Sequence, residues 1–373
     1  MRLLDRYVLK SFLLPFLYCF LGIAAIWLIL DMGDKLPSLI DAHATMREIL
    51  RFYRIQLPQI VVFCLPIALL LAMLYSLSRL SRSNEIVSMV TAGISIVRVL
   101  IPIFLFGLMA TGITIALNYR LAPESETTRK EYYDELTQGK KKSNLQFAVL
   151  FRNRADRRTW FFETLSLADS KARGIQILQQ NANGDAVWKV FAKAGFFDLK
   201  TQLWTLESGE FIELAPDGKI LRQKNFDKRI FPIFKETPYR IATMDLQPEN
   251  LGVPALEEYL RMNRDLPEAQ RAPFETHRLY RWAMPWLCVI VLLLAGSLGI
   301  AFSRRGVLNG VVATLVLFFA MLFTRSICLS LGQGSHITPM SAAWLPVAIF
   351  TFLGLVLLWK RSSGGNLPFY KFS

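Results

Sequence analysis

The sequence predicts a membrane α-helical protein with six transmembrane helices and an inserted antiparallel β domain of jelly-roll type. Three observations predict it. Six apolar runs, each near the ~20 residues a helix needs to cross the hydrocarbon core, sit three before and three after a long polar stretch. The 373 residues are 53% hydrophobic and 19% charged, with a mean hydropathy of +0.34. That is too apolar for an ordinary soluble chain of this size. The polar stretch carries short aromatic and β-branched segments between turn residues, which is how antiparallel strands read.

The apolar runs cover residues 12–30, 57–77, 99–117, 282–302, 307–330 and 342–359. Prolines 15, 58, 66, 285 and 346 lie in or near them, and membrane helices tolerate proline because neighbouring groups satisfy the freed carbonyls. The first run is too long for the apolar core of a signal peptide and lacks a small-residue cleavage site, so it is expected to be a retained helix. The expected strands cover residues 147–151, 159–163, 175–178, 187–191, 203–206 and 211–214. Asn183-Gly184 and Asp217-Gly218 are favoured two-residue hairpin turns. Residues 254–263 read as a short helix with Pro254 at its first position and Leu256, Tyr259 and Leu260 on one face. The expected domains are therefore 1–119, three membrane helices with a cytoplasmic coupling segment at about 79–98; 120–275, the β domain; and 276–373, three membrane helices and a tail.

Basic residues give the orientation. Arg2, Arg6 and Lys10 precede the first run, Arg79 and Arg82 follow the second, Arg304 and Arg305 separate the fourth and fifth, and Lys360, Arg361 and Lys371 follow the sixth. All fall on one side of the membrane, while the loop 331–341 on the other side holds no Lys or Arg. The positive-inside rule then puts both termini in the cytoplasm of an inner membrane and the insert outside, in the periplasm of a diderm bacterium. The outer segment 31–56 breaks the rule locally with Lys35, Arg47, Arg51 and Arg54. The net charge of +14 suits cytoplasmic loops, anionic lipid or an anionic substrate. Nucleic acid is excluded for want of a compact basic motif with interleaved aromatics.

Enzymatic chemistry finds no support. His43, His277 and His336 stand at no metal-ligand spacing, and no Walker A, GxSxG or HExxH pattern occurs. Cys19, Cys64, Cys288 and Cys328 all lie in or beside apolar runs, with no CxxC, so neither a disulfide framework nor a zinc site is expected. Gly332-Gln333-Gly334 reads as a short loop rather than a phosphate cradle. No catalytic residue, metal ligand or cofactor is assigned, and ATP would be bound by a separate subunit.

Two features carry functional readings. The segment after the second run, Ser83 to Gly93, makes a short amphipathic helix. Ser83 or Asn84 caps it, Glu85 suits its positive end, Ile86, Val87, Met89 and Val90 form the apolar side, and Gly93 stops or bends it. It is either a simple interfacial helix or a coupling helix that docks on a cytosolic partner through Glu85; spacing alone leaves the two equal. The second feature is basic charge at the outer ends of helices: Lys35, Arg54 and Arg325. Arg325 could snorkel to the interface and Lys35 could pair with Asp31 or Asp34. The sharper reading is a ring that meets the phosphates of an anionic lipid, with Trp27 and Leu28 lining an acyl-chain cavity rather than only packing helices.

The layout and two segments, SRSNEIVSMVTAG (81–93) and GSHITPMSAAWLP (334–346), resemble the LptF/LptG permeases of lipopolysaccharide export over essentially the whole chain. Leu4-Asp5-Arg6-Tyr7-Val8, Phe197-Asp198 with Trp204-Thr205-Leu206, and Pro248-Glu249 with Leu251 before Tyr259-Leu260 are similar to the LptG branch. The resemblance implies a transport subunit paired with a second six-helix permease, LptF-like, and driven by two copies of an LptB-like ATPase. Lipopolysaccharide would enter sideways from the outer leaflet of the inner membrane and be pushed onto the jelly roll and then an LptC- and LptA-like bridge. Glu85 matches the acidic residue of the family's coupling helix, with Arg82, Ile86 and Met89 around it. Asp31 stands where the LptG branch commonly has Lys, with Lys35 nearby. Other classes weighed are a membrane-anchored periplasmic binding or assembly protein, and exporters of lipoproteins or macrolides, which place the large outer domain after the first helix.

Overall fold

The computed structural model describes residues 3–138, 145–153, 156–166, 169–199, 201–215, 218–234, 236–238, 241, 247–264, 267–300 and 304–362. Arg2, Asp217 and Lys371 lie outside them, and of Arg304 and Arg305 only the helical backbone is described. The chain divides into two compact units: Met1–Gly139, Pro248–Leu260 and Glu268–Ser373 form one; Lys140–Gln247 and Arg261–Pro267 form the other.

The first unit is helical. Its elements are α1 (Leu3–Asp41), α2 (Met46–Arg82), α3 (Glu85–Thr91), α4 (Ile96–Ala116), a π-helical turn (Leu117–Leu121), α5 (Ala122–Gln138), α6 (Val253–Met262), α7 (Glu268–Ala283), a 3-10 turn (Met284–Trp286), α8 (Leu287–Leu298), α9 (Arg304–Gln333) and α10 (Pro339–Ser362). Among the described residues, six helical segments are long and apolar enough to cross a membrane, as the six runs predict. Five overrun their apolar runs at both ends, and the fourth begins well before its run but ends at Leu298 inside it; a helix does not have to end where the hydrocarbon does. The third span shows this best. Residues 120–137, assigned to the β domain on sequence, continue it as helix: the π turn passes the chain from α4 into α5, and the span runs to Thr137. Ala, Glu and Lys sustain α5 without an apolar face to advertise it.

The core lies on α2, α4 and α8. Leu69, Met73 and Leu77 of α2 meet Leu100 and Ile103 of α4 and Leu292 and Leu294 of α8. Small residues set the approach: a Cβ on Gly107 would fall 2.2 Å from Leu292 Cδ1, so α4 reaches α8 only because that side chain is missing. By contrast, 6% of the most apolar stretch of α1 is buried and 22% of that of α9, against 72% for α2. Thus α1 and α9 lie on the outside of this unit. Where the third span leaves the apolar layer, Asn118 in the π turn donates through Nδ2 to Arg281 O at 2.9 Å and accepts from Arg281 Nη1 at 3.1 Å. The Arg281 guanidinium also donates to Glu249 O. The short helix expected at 254–263 is α6, with Val253, Leu256, Tyr259 and Leu260 buried and Tyr259 stacked on Phe274 of α7.

The second unit holds β1 (Leu145–Asn153), β2 (Arg158–Ser166), β3 (Lys171–Gln180), β4 (Ala186–Asp198), β5 (Leu203–Leu214) and β6 (Ile220–Phe231). They form one antiparallel sheet in sequence order, each strand paired with the next. Alternation buries one face: Trp160, Phe162, Ile175, Ile177 and Trp204 are each at most 1% exposed, and Phe234 and Ile241 cover them. Three expectations change. The stretches 203–206 and 211–214 are one continuous strand, β5. The edge strand β6 has no counterpart among the expected strands, because nearly all of it is exposed and charge occupies both faces, so no period-two pattern marks it. The Asn183-Gly184 connection spans five residues, Gln180 pairing with Ala186. Asn181 Oδ1 accepts from the backbone N–H of Asn183 and Asp185, and Gly184 takes φ +95°. A side-chain turn therefore replaces the tight hairpin.

A buried ion pair ties the covering segment to the sheet. Arg158 Nη1 donates to both Glu236 carboxylate oxygens at 3.1 Å, with side chains 5% and 0% exposed. Asn153 Nδ2 also donates to Glu236, and Trp204 Nε1 donates to its backbone carbonyl at 2.6 Å. Removing one partner strands a buried charge. Glu236→Leu is expected to destabilise this unit by roughly 3–5 kcal/mol, measured as lower urea resistance and faster proteolysis between 140 and 247 in the detergent-solubilised protein. Unchanged urea resistance would show that the pair does not hold the covering segment.

Candidate functional site

The amphipathic segment after the second run forms an elbow between α2 and α4. Ser83 ends α2, its backbone N–H donating to Arg79 O at 3.1 Å. Asn84 turns the chain in the left-handed region at φ 59°, a conformation Asn tolerates better than most residues, and occupies the cap position of α3 without a side-chain cap bond. The helix then runs only from Glu85 to Thr91, shorter than the 79–98 segment expected, so Arg79 and Arg82 belong to the last turn of α2. Gly93 at φ +83° stops it, as its position suggested: Gly93 N bonds to Val90 O and Ile94 N to Met89 O, both at 3.0 Å. Ser95 caps α4 by accepting from Arg98 N. Ile86 is 2% exposed, and Met89 and Val90 pack on the core, so these residues anchor α3; Arg82 is exposed.

The half-buried Glu85 carboxylate is held on both oxygens. Tyr7 of α1 donates its hydroxyl to Oε2 at 2.7 Å, and Ser83 donates to Oε1 at 2.8 Å. A carboxylate offers about four acceptor sites, so two remain for a cationic group. One turn away, Arg98 Nη2 pairs with the Asp5 carboxylate at 3.0 Å, Asp5 being 12% exposed and Arg98 35%. The first turns of α1 thus touch both α3 and α4. Sequence reasoning assigned no role to Asp5, Tyr7 or Arg98. Two polar residues at the start of an apolar helix were a signal, but one without a visible partner.

At the other end of α1 the residues regroup. Asp31 pairs with Arg129 Nη1 at 3.0 Å, and Arg129 Nη2 reaches Glu126 at 2.8 Å. Lys35 does not make the ion pair anticipated with Asp31 or Asp34; its ammonium stands 5.2 Å over the ring of Tyr133. Arg129 lies 5.6 Å over Phe52 and Arg51 5.0 Å over Tyr132. Arg54 is exposed on α2, and Trp27 and Leu28 are half-buried. Arg325 has different neighbours: it lies 5.8 Å over Tyr280 of α7, beside an apolar pocket that includes Leu287, Met321 and Pro346. The structure therefore joins Lys35 to an aromatic and basic group on α2 and α5, and seats Arg325 on α7. Arg129, Tyr132 and Tyr133 escaped notice because α5 was not read as part of the helical unit, and Arg51 stands out in the sequence only as a breach of the positive-inside rule. Among the described residues, no three His, Cys, Asp or Glu side chains gather as a metal site requires.

The family model for the lipopolysaccharide export system permease LptF/LptG matches residues 6–360. The chain belongs to the LptF/LptG family. No curated protein sequence matches it. The match runs from the first turns of α1 through the sheet to the last turns of α10, so it includes the elbow, both ends of α1 and the insert. An LptF/LptG permease with six such spans is a multi-pass protein of the inner membrane.

In this LptF/LptG chain the C-terminal part of α1 carries an acid already neutralised from α5. Asp31 and Arg129 are 13% and 15% exposed, and Asp31 without Arg129 would be a stranded charge, whereas Arg129 also keeps Glu126. Arg129→Met is expected to cost on the order of 3 kcal/mol, and Asp31→Leu in the same chain is expected to restore most of it. Thermal unfolding in detergent of the two single variants and the double variant checks this; strictly additive losses would contradict it.

Proposed function

We propose that this LptF/LptG permease is the transmembrane subunit of an ABC-type lipopolysaccharide exporter and performs no catalysis itself. The observation that carries this reading is the Glu85 carboxylate, fixed by two hydroxyls at the elbow with acceptor sites to spare. An LptB-like ATPase dimer, which binds the ATP, docks on α3, with a cationic side chain meeting Glu85 and Arg82 at the rim. Ile86 and Met89 hold the helix down so that displacement of α3 is passed to the bundle. The charge bias supports placing the elbow and both termini in the cytoplasm and the β unit in the periplasm. The chain pairs with a second six-helix permease. The Leu4–Val8 opening favours assigning this one to the LptG branch and its partner to LptF.

Lipopolysaccharide is the cargo. Lys35, Arg54 and Arg325 meet its phosphates at the outer ends of the spans, and Trp27 and Leu28 border its acyl chains. The molecule then passes to the β unit and to LptC- and LptA-like partners. A second reading, a membrane-anchored periplasmic binding or assembly protein without transport, draws on the sheet's self-contained core. Photo-cross-linking separates the two: lipopolysaccharide trapped at position 28 as well as in the sheet supports transport, and trapping in the sheet alone supports the second reading.

The docking role is tested by Glu85→Lys in the reconstituted complex. It is expected to lower lipopolysaccharide release about tenfold, equivalent to ~1.4 kcal/mol, while helicity and yield stay at wild-type level. Full release by that variant would remove α3 from the coupling path.

A further inference from the structure

We infer that Tyr7 is a positioning residue for Glu85, and that through it the first span is mechanically joined to the elbow. The inference rests on the docking role proposed for α3 and adds the element that receives its motion. Four observations lead to it. The Tyr7 hydroxyl donates to Glu85 Oε2 at 2.7 Å across 78 residues of sequence. The remaining oxygen is taken by Ser83, which sits in the elbow itself. Of the two donors that orient the carboxylate, therefore, only Tyr7 belongs to another span. Asp5 of the same turn pairs with Arg98 of α4 at 3.0 Å, so the start of α1 is joined to both helices that flank Gly93. Finally, α1 is a 39-residue helix whose first turns pack on α4 through Phe12 and Phe16, while 6% of its most apolar stretch is buried, so a displacement of α4 is also carried to the start of α1 by packing.

The physical consequences follow in order. Two hydroxyl donors restrict the Glu85 rotamers, and a carboxylate already in its bound orientation loses less entropy when a cation arrives. Tyr7 is 46% exposed, so its own burial contributes little; what it brings is the direction of one charge-assisted hydrogen bond. A force that turns α3 pulls on Tyr7, and a shift of α4 pulls on Asp5. Both pulls act on the first two turns of α1. A helix of this length, about 58 Å at ~1.5 Å per residue, converts a small displacement at one end into a larger one at the other. The far end holds the Asp31–Arg129 pair and Lys35. The elbow and the outer basic group are thus linked by one continuous helix.

The experiment uses the intact permease reconstituted with its partner permease and ATPase, scoring lipopolysaccharide released per ATP hydrolysed. Tyr7→Phe keeps the ring and removes only the donor; it is expected to lower that ratio roughly fivefold with thermal stability unchanged. In a Glu85→Gln background the same substitution is expected to have little further effect, which a merely structural Tyr7 would not show. Wild-type coupling in Tyr7→Phe, or an equal loss in both backgrounds, overturns the positioning role while leaving the docking role of α3 standing if Glu85→Lys is impaired. Wild-type coupling in Glu85→Lys overturns both.

Discussion

In hydrocarbon every backbone N–H and C=O must be satisfied within the protein, and that constraint decides most of this structure. It forces the six spans among the described residues to be helical, with only the π turn in the third and the 3-10 turn in the fourth departing from the α-helix. It also removes the hydrophobic drive that brings helices together in water, since lipid tails are as apolar as leucine. What remains is close packing and a few polar ties. The contact of α4 with α8 at Gly107 is one instance of the first, and the Asn118–Arg281 exchange beside the π turn is one of the second. The π turn stands at the end of α4, and the side chain of Asn118 within it is satisfied by the backbone carbonyl and the guanidinium of Arg281 on α7.

The same constraint explains where charge is tolerated. The two ion pairs of α1, Asp5–Arg98 and Asp31–Arg129, lie about 39 Å apart along the helix at ~1.5 Å per residue. A bilayer with its headgroup regions measures ~40–45 Å. Each pair thus falls at one face of the membrane, where water and headgroups still lower the cost of burying ions. Between them Phe12 and Phe16 join α1 to Phe106 of α4, and much of the remaining apolar stretch of α1 faces outward. The two ion pairs are exchangeable, whereas the core of α2, α4 and α8 is apolar packing.

The β unit solves a different problem. A six-stranded meander has two edges and one apolar face, and the face must be covered. The segment around Phe234, Glu236 and Ile241 does this, fixed by Arg158 from beneath. The edge strand β6 remains exposed and charged, which protects it from indiscriminate pairing. The buried pair of Arg158 with Glu236 ties that covering segment to the sheet.

Much of the fold was legible in the residues. Six apolar runs predict six spans because hydropathy is a local property and ~20 residues suffice to state it. Gly93 and Glu85 predict a short helix between the second and third spans because capping and chain reversal are also local. The strands from β1 to β5 show themselves by alternation; β6, with polar residues on both faces, does not. Nor could α5 be read, because a polar helix continuing out of a membrane leaves no apolar signal. The least legible features are pairings. Tyr7 meets Glu85 across 78 residues, Arg98 meets Asp5 across 93 and Arg129 meets Asp31 across 98. Sequence by itself determined the class of protein, the number of spans and the position of the elbow. Only the tertiary structure decided which charges neutralise one another and which side chain orients Glu85, because those contacts are made by packing between helices and have no local pattern to reveal them.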